Sequence, residues 1–278
     1  MATVVLGLVA ALTWGSGDFG GGLLSRRVPV LAVVLVSQVV GTVIALALAL
    51  VRGETMPLVS DVPWCIAGGI GGGIGIVALY HGLATARMGV VAPITGVLAA
   101  AIPVVYGVFV EGLPSALVVV GIGVAILAVI LVSRVADDRA GPSGIGLALV
   151  AGVAIGSFGI AISQISEGHT FGPLAIIRSA EGALIAAVIL IGRRSWRVER
   201  RWLPAMAGVG ILDMAGNAAF ILAVQAGALA IAAILSSLYP VTTVILASIF
   251  LRERVTRSHA VGIALAGIAI VCIAAGAS

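Results

Sequence analysis

The sequence predicts an all-α membrane protein of ten transmembrane helices, arranged as two inverted five-helix repeats. Three observations carry that prediction: composition, the length of the apolar runs, and an internal echo between the two halves. Hydrophobic residues make up 61% of the 278 positions and charged residues 9%. A soluble domain carries roughly 25% charge, so this chain cannot cover a surface with polar groups and its outer solvent is lipid. In lipid every backbone group must bond internally, which leaves helices and closed barrels. Barrel strands alternate in polarity over about 10 residues. The runs here are unbroken and reach about 20 residues, the length of a spanning helix.

The apolar segments fall near 3–24, 30–51, 64–85, 90–110, 115–133, 144–165, 172–191, 203–224, 231–250 and 259–276. The first could pass for a signal peptide. Its charges, Arg26 and Arg27, follow the apolar run rather than precede it, so it reads as a membrane helix. Glycine is abundant, at 38 residues. The densest run, Gly68-Gly69-Ile70-Gly71-Gly72-Gly73-Ile74-Gly75, reads as close helix packing rather than a phosphate loop, because no Lys follows it and it lies within a span. Cys65 and Cys272 sit in apolar runs without metal or redox spacing and read as small hydrophobes.

Leu8-Val9-Ala10 returns as Leu149-Val150-Ala151, and Gly15-Ser16 as Gly156-Ser157, both 141 positions on (149 − 8, 156 − 15). Gly41 falls on Gly182 at the same offset, and Glu111 on Glu253 at 142. The domains are therefore read as 1–140 and 141–278. Five spans is an odd number, so the second repeat enters the membrane with the opposite orientation. Inverted repeats are a transporter architecture, with the site near the bilayer midplane.

All 15 basic residues are Arg and the net charge is +4. A basic soluble protein would suggest nucleic acid. Here the arginines punctuate apolar runs and set topology, so no nucleic-acid partner is expected. The connections after the odd-numbered spans hold Arg26, Arg27, Arg87, Arg134, Arg139, Arg193, Arg194, Arg197, Arg200, Arg201, Arg252, Arg254 and Arg257; the other side holds Arg52. The positive-inside rule then places the Arg-rich loops in the cytoplasm and both termini outside.

Leu12-Thr13-Trp14-Gly15-Ser16, the ten-segment count, the duplication, and Ser236-Ser237-Leu238-Tyr239-Pro240 leading to Phe250-Leu251-Arg252-Glu253-Arg254-Val255-Thr256 resemble the EamA branch of the drug/metabolite transporter superfamily. The likeness spans nearly the whole chain. The first repeat departs from it, with Leu98 where the second has Pro240 and Glu111-Gly112-Leu113-Pro114 in place of the Arg-flanked Glu. The resemblance implies export or exchange of small metabolites, such as amino acids, across a bacterial inner membrane. It also implies cytoplasmic termini, the reverse of the arginine count.

An ionisable residue inside a span costs roughly 2.5–3.5 kcal/mol on insertion scales and is a functional candidate by default. Arg178 and Glu181 lie mid-way along the seventh segment, three apart and on one face. They read either as a structural ion pair or as a grip for a substrate carboxylate or counter-ion. With Asp213 in the eighth segment and Asp18 in the first, the sum is +1 − 3 = −2. That excess invites a proton or a cation and suits proton coupling. Asn217, one turn after Asp213, either bonds it or lines the pathway. Ser37-Gln38 sits mid-way along the second segment, and Ser37 is the offset counterpart of Arg178. His81 reads as a proton relay, as a bond to a neighbouring helix or as a residue near the interface. Gln164 and Gln225 fall near segment ends and read as interfacial, as do Trp64, Trp196 and Trp202. Trp14 is mid-span, so it packs or lines a cavity, and Tyr239 is grouped with it. Pro93, Pro103 and Pro240 lie in the fourth and ninth segments, where each frees a carbonyl and permits a kink. Glu253, with Arg252 and Arg254, reads as a solvated turn outside the site.

The function expected is secondary transport of a small-molecule substrate by alternating access of the two repeats, with protons as the coupling ion. No enzyme activity, cofactor or metal is expected. The rivals are a membrane-embedded enzyme, which would need a reactive cluster around His81 that the sequence lacks, and a non-transporting scaffold, which the buried charges argue against. The sequence does not define the oligomeric state.

Overall fold

Helix is the only regular structure among the described residues of the computed structural model, which are 1–55, 57–85, 88–132, 144–250 and 257–276. The first half holds α1 (Ala2–Ser25), α2 (Val30–Val51), α3 (Val62–Thr85), α4 (Met88–Glu111) and α5 (Ala116–Val132). The second holds α6 (Ile145–Ser163), α7 (Phe171–Ile191), α8 (Leu203–Gln225), α9 (Leu229–Ser236), α10 (Tyr239–Phe250) and α11 (Arg257–Gly276), with a short 3₁₀ turn at Arg200–Trp202. The boundary between the expected domains, and the loop residues Arg87, Arg134, Arg139, Arg252, Glu253 and Arg254, lie outside the described residues.

Six helices, α1, α2, α3, α6, α7 and α8 (with the turn before it), are long and apolar enough to cross a membrane by length and composition. The remaining apolar helices are shorter. The ninth expected segment is interrupted. The segment near 231–250 is not one helix but two, α9 and α10, parted at Ser237-Leu238. Pro240 has no N–H for the Ser236 carbonyl, and the Val241 N–H turns back to Leu238 (2.9 Å) rather than to Ser237.

Small residues dominate the inward face of α1, and many large apolar side chains of the bundle face outward. The buried positions of α1 include Gly7, Ala10, Ala11, Gly15, Gly17, Gly21 and Gly22. Leu12 is 58% exposed, Leu50 81% and Phe109 85%. With lipid outside, hydrophobicity gives no preference for the interior, so close backbone approach takes over. Gly69 shows how tight that approach is: a Cβ there would lie 2.5 Å from the Ile177 carbonyl oxygen on α7. The glycine run of α3 is therefore a packing surface.

Exchanging the halves leaves the packing pattern unchanged. α1 packs on α8 as α3 packs on α6; α4 lies on α6 as α9 and α10 lie on α1; α3 meets α7 as α8 meets α2. Three pairs are their own counterparts, α2 with α7, α5 with α11 and α4 with α9. Neighbouring glycines give the directions. Gly7 meets Leu235 and Gly15 meets Thr242, so α1 runs with α9 and α10. Gly152 meets Leu98 and Gly156 meets Ile102, so α6 runs with α4. Gly17 meets Leu212 while Gly216 meets Trp14, so α1 and α8 are antiparallel.

Candidate functional site

A cavity of about 780 Å³, counting its mouth, lies between the halves. From the first half, Trp14 and Asp18 on α1, Gln38 on α2, Gly72, Ile76 and Leu79 on α3, and Ala99 and Pro103 on α4 reach it. From the second come Ile155 and Phe158 on α6, Arg178 and Glu181 on α7, Asp213, Asn217 and Phe220 on α8, and Ser236, Ser237 and Tyr239 around the α9–α10 break. Neither α5 nor α11 contributes to its lining.

Every expected site residue but one is on this wall. Trp14, Asp18, Gln38, Arg178, Glu181, Asp213, Asn217 and Tyr239 converge there. His81 does not; it is exposed on α3. The helical period explains the difference. Gly72, Ile76 and Leu79 fall on one face, and His81, two residues beyond Leu79, points to the other side.

Arg178 is the centre of the polar network. Its Nη1 donates to Gln38 Oε1 at 2.7 Å and to Glu181 Oε2 at 2.8 Å, and lies 2.6 Å from Asp213 Oδ2. Its side chain is 3% exposed, that of Glu181 4% and that of Asp213 23%. Its Nε and Nη2 are buried without a hydrogen-bond partner. Burying such a charge is tolerated only because opposite charges and an amide surround it. Ser37, the offset counterpart of Arg178, does not join the network. Its hydroxyl bonds back to Val34 O at 2.8 Å, and the neighbouring Gln38 makes the inter-half contact instead. The α2–α7 crossing is reciprocal. Gly41 packs on the Arg178 stem and Gly182 on Gln38, so each helix offers a glycine to the other's long side chain.

Asn217 donates to both Asp213 O (2.7 Å) and Asp213 Oδ1 (3.1 Å) while lining the cavity, so both readings of it hold together. Trp14 likewise does both: it lines the cavity and lies 5.4 Å, centroid to centroid, from Phe220. Asp18 has one bond, from the Tyr80 hydroxyl at 3.4 Å. Tyr80 was not singled out from the sequence, although it is one of only three tyrosines and its inward position on α3 was readable.

The loop contacts on the α2–α3 side were also missed. Glu54 accepts from the backbone N–H groups of Thr170 (2.7 Å), Phe171 (3.0 Å) and Gly172 (2.9 Å), capping α7, which has no side-chain cap of its own. Asp61 accepts from Ser166 N (3.2 Å) and Oγ (3.0 Å). Gln164 donates to the Tyr106 hydroxyl and Gln225 to His169 O, so both tie segment ends together. Trp196 and Trp64 are exposed, and Trp202 is covered by the guanidinium groups of Arg27 and Arg201. Among the described residues no group of His, Cys, Asp and Glu has the makings of a metal site.

The model of the EamA-like transporter family matches residues 1–134 and again 142–275. The chain belongs to the EamA-like transporter family. It is thus a helical membrane protein with a transporter-like fold, and the two matches fall one on each half. A search of curated proteins found no match. One solved crystal structure resembles this EamA protein with a TM-score of 0.78 over 99% of the chain and 97% of its own, at 22% identity, a likeness that establishes the fold alone.

Proposed function

We propose that this EamA protein is a secondary transporter that carries small metabolites across a bacterial inner membrane, as an exporter, by alternating access of two inverted five-helix repeats. In this reading the repeats are residues 1–140 and 141–278, and α9 with α10 together make the ninth of ten spans. The observation that carries it is the cavity between the halves, walled by helices of both and lined by Arg178, Glu181, Asp213 and Asp18. The helix directions support inversion: α6 runs with α4, and α1 runs with α9 and α10. The split at Ser237-Leu238 supports a gating role for the second half, since irregular backbone is tolerated at membrane depth where it lines a cavity. The charge excess of the site supports proton coupling through Asp18, Glu181 and Asp213.

Flux in proteoliposomes against a metabolite panel tests this. The account expects gradient-dependent movement of at least one solute, lost on collapsing the pH gradient and reduced at least tenfold by Asp18→Asn. Absence of flux for every solute, with protein correctly inserted, would overturn the transport reading. Undiminished flux in Asp18→Asn, Glu181→Gln and Asp213→Asn alike would overturn the coupling.

A further inference from the structure

We infer that the cavity is built for an organic cation, a protonated amine or quaternary ammonium on an apolar body, and not for a carboxylate. The inference rests on the transport reading of the same cavity and names the solute's charge. It comes from accounting for every hydrogen-bonding group on the wall.

The donors an anion would need are spent or sealed. Arg178 Nη1 serves three acceptors at once, and its Nε and Nη2 have no surface open to the cavity. The Tyr239 hydroxyl is sealed in the same way. Ser236 and Ser237 donate to Ala233 O (3.0 Å) and Ile234 O (2.8 Å), Tyr80 donates to Asp18, and Asn217 to Asp213. Gln38 and Trp14 leave only neutral N–H groups. The acceptors are the reverse case. Asp18 is partly exposed with one long bond, and Asp213 keeps 23% of its side chain open although it pairs with Arg178.

The formal charge of the wall is −2, one Arg against three carboxylates. Water screens poorly in such a site, so an incoming anion is repelled and a cation attracted. The uncharged remainder of the wall suits an apolar body. Trp14, on the cavity wall and 5.4 Å from Phe220, adds an aromatic ring of the kind that attracts a cation.

The test compares phenyl-bearing solutes of different charge. Phenethylammonium, its N-acetyl derivative and 3-phenylpropanoate are titrated, with benzyltrimethylammonium, onto the purified full-length protein in nanodiscs by calorimetry. The ammonium ions are expected to bind at least tenfold tighter than the neutral compound, with no binding of the carboxylate. Asp18→Asn should weaken the ammonium ions at least tenfold, and Asp18→Glu should restore most of the affinity, which separates lost charge from misfolding. The inference fails if the carboxylate binds as tightly as the ammonium, if Asp18→Asn leaves the ammonium affinity unchanged, or if none of the four binds at millimolar concentration. Its failure is distinct from that of transport. Ammonium ions that bind, with no flux of any solute in the panel, would sink the transport reading alone, and carboxylate flux would sink this inference alone.

Discussion

Where α4 runs unbroken past Leu98, its counterpart in the second half stops at Ser236 and starts again at Tyr239. Where α2 brings neutral Gln38 to the midline, α7 brings Arg178 and Glu181. The packing contacts of the two halves are interchangeable, yet the polar groups are not. Duplication has preserved the small residues that set helix distances and left the cavity side chains free to diverge. The fold is thus symmetric at the level of backbone approach and lopsided at the level of charge, with the broken helix and the buried Arg178 in one half.

That contrast can be broken at its two ends. Arg178→Met strips the only cation from a cluster where Glu181 is sealed, and should cost about 3–5 kcal/mol, seen as loss of folded protein or a lowered unfolding midpoint. The first-half partner should matter less: Gln38→Leu removes one bond to a charged group, about 1.5–3 kcal/mol in the same assay. Leu98→Pro would impose on α4 the break its counterpart carries, and should cost about 3 kcal/mol or more, because no cavity is organised there around a split helix. The reverse change, Pro240→Leu, should leave the protein folded but slow its flux. An unchanged flux would show the break to be incidental.

Smaller effects sharpen the picture. Glu54→Gln weakens the borrowed cap of α7 and should cost about 1–2 kcal/mol by thermal unfolding. The paired glycines should respond unequally. A Cβ at Gly41 would sit 3.3 Å from Arg178 Cδ, whereas one at Gly182 would clear Gln38 by 3.7 Å. Gly182→Ala should therefore stay within about 0.5 kcal/mol of the parent, and Gly41→Ala should be the more damaging by about 1 kcal/mol.

Much of this was legible in the sequence because membrane helices announce themselves by length and apolarity, and because a buried charge in lipid needs a reason. Arg178, Glu181 and Asp213 were found that way, and a spacing of three put Arg178 and Glu181 on one face. The break at Ser237-Leu238 was hidden inside a continuous apolar run; Pro240 was visible, but a proline in a membrane helix is as often a mild kink. His81 was misplaced because polarity alone does not say which face of a helix a residue occupies. Glu54, Asp61 and Tyr80 went unremarked since their partners are more than 60 positions away, and only the fold brings them together.

The central claim is that this lopsided cavity is the path the solute takes. Ser236→Cys, placed on the cavity wall at the end of α9 in a chain with Cys65 and Cys272 replaced by Ala, measures it directly. A membrane-impermeant thiol reagent is applied in turn to each face of sealed vesicles. The account predicts modification from both faces, one state at a time, and protection by transported solute. Modification from one face alone, whatever the solute, would contradict it.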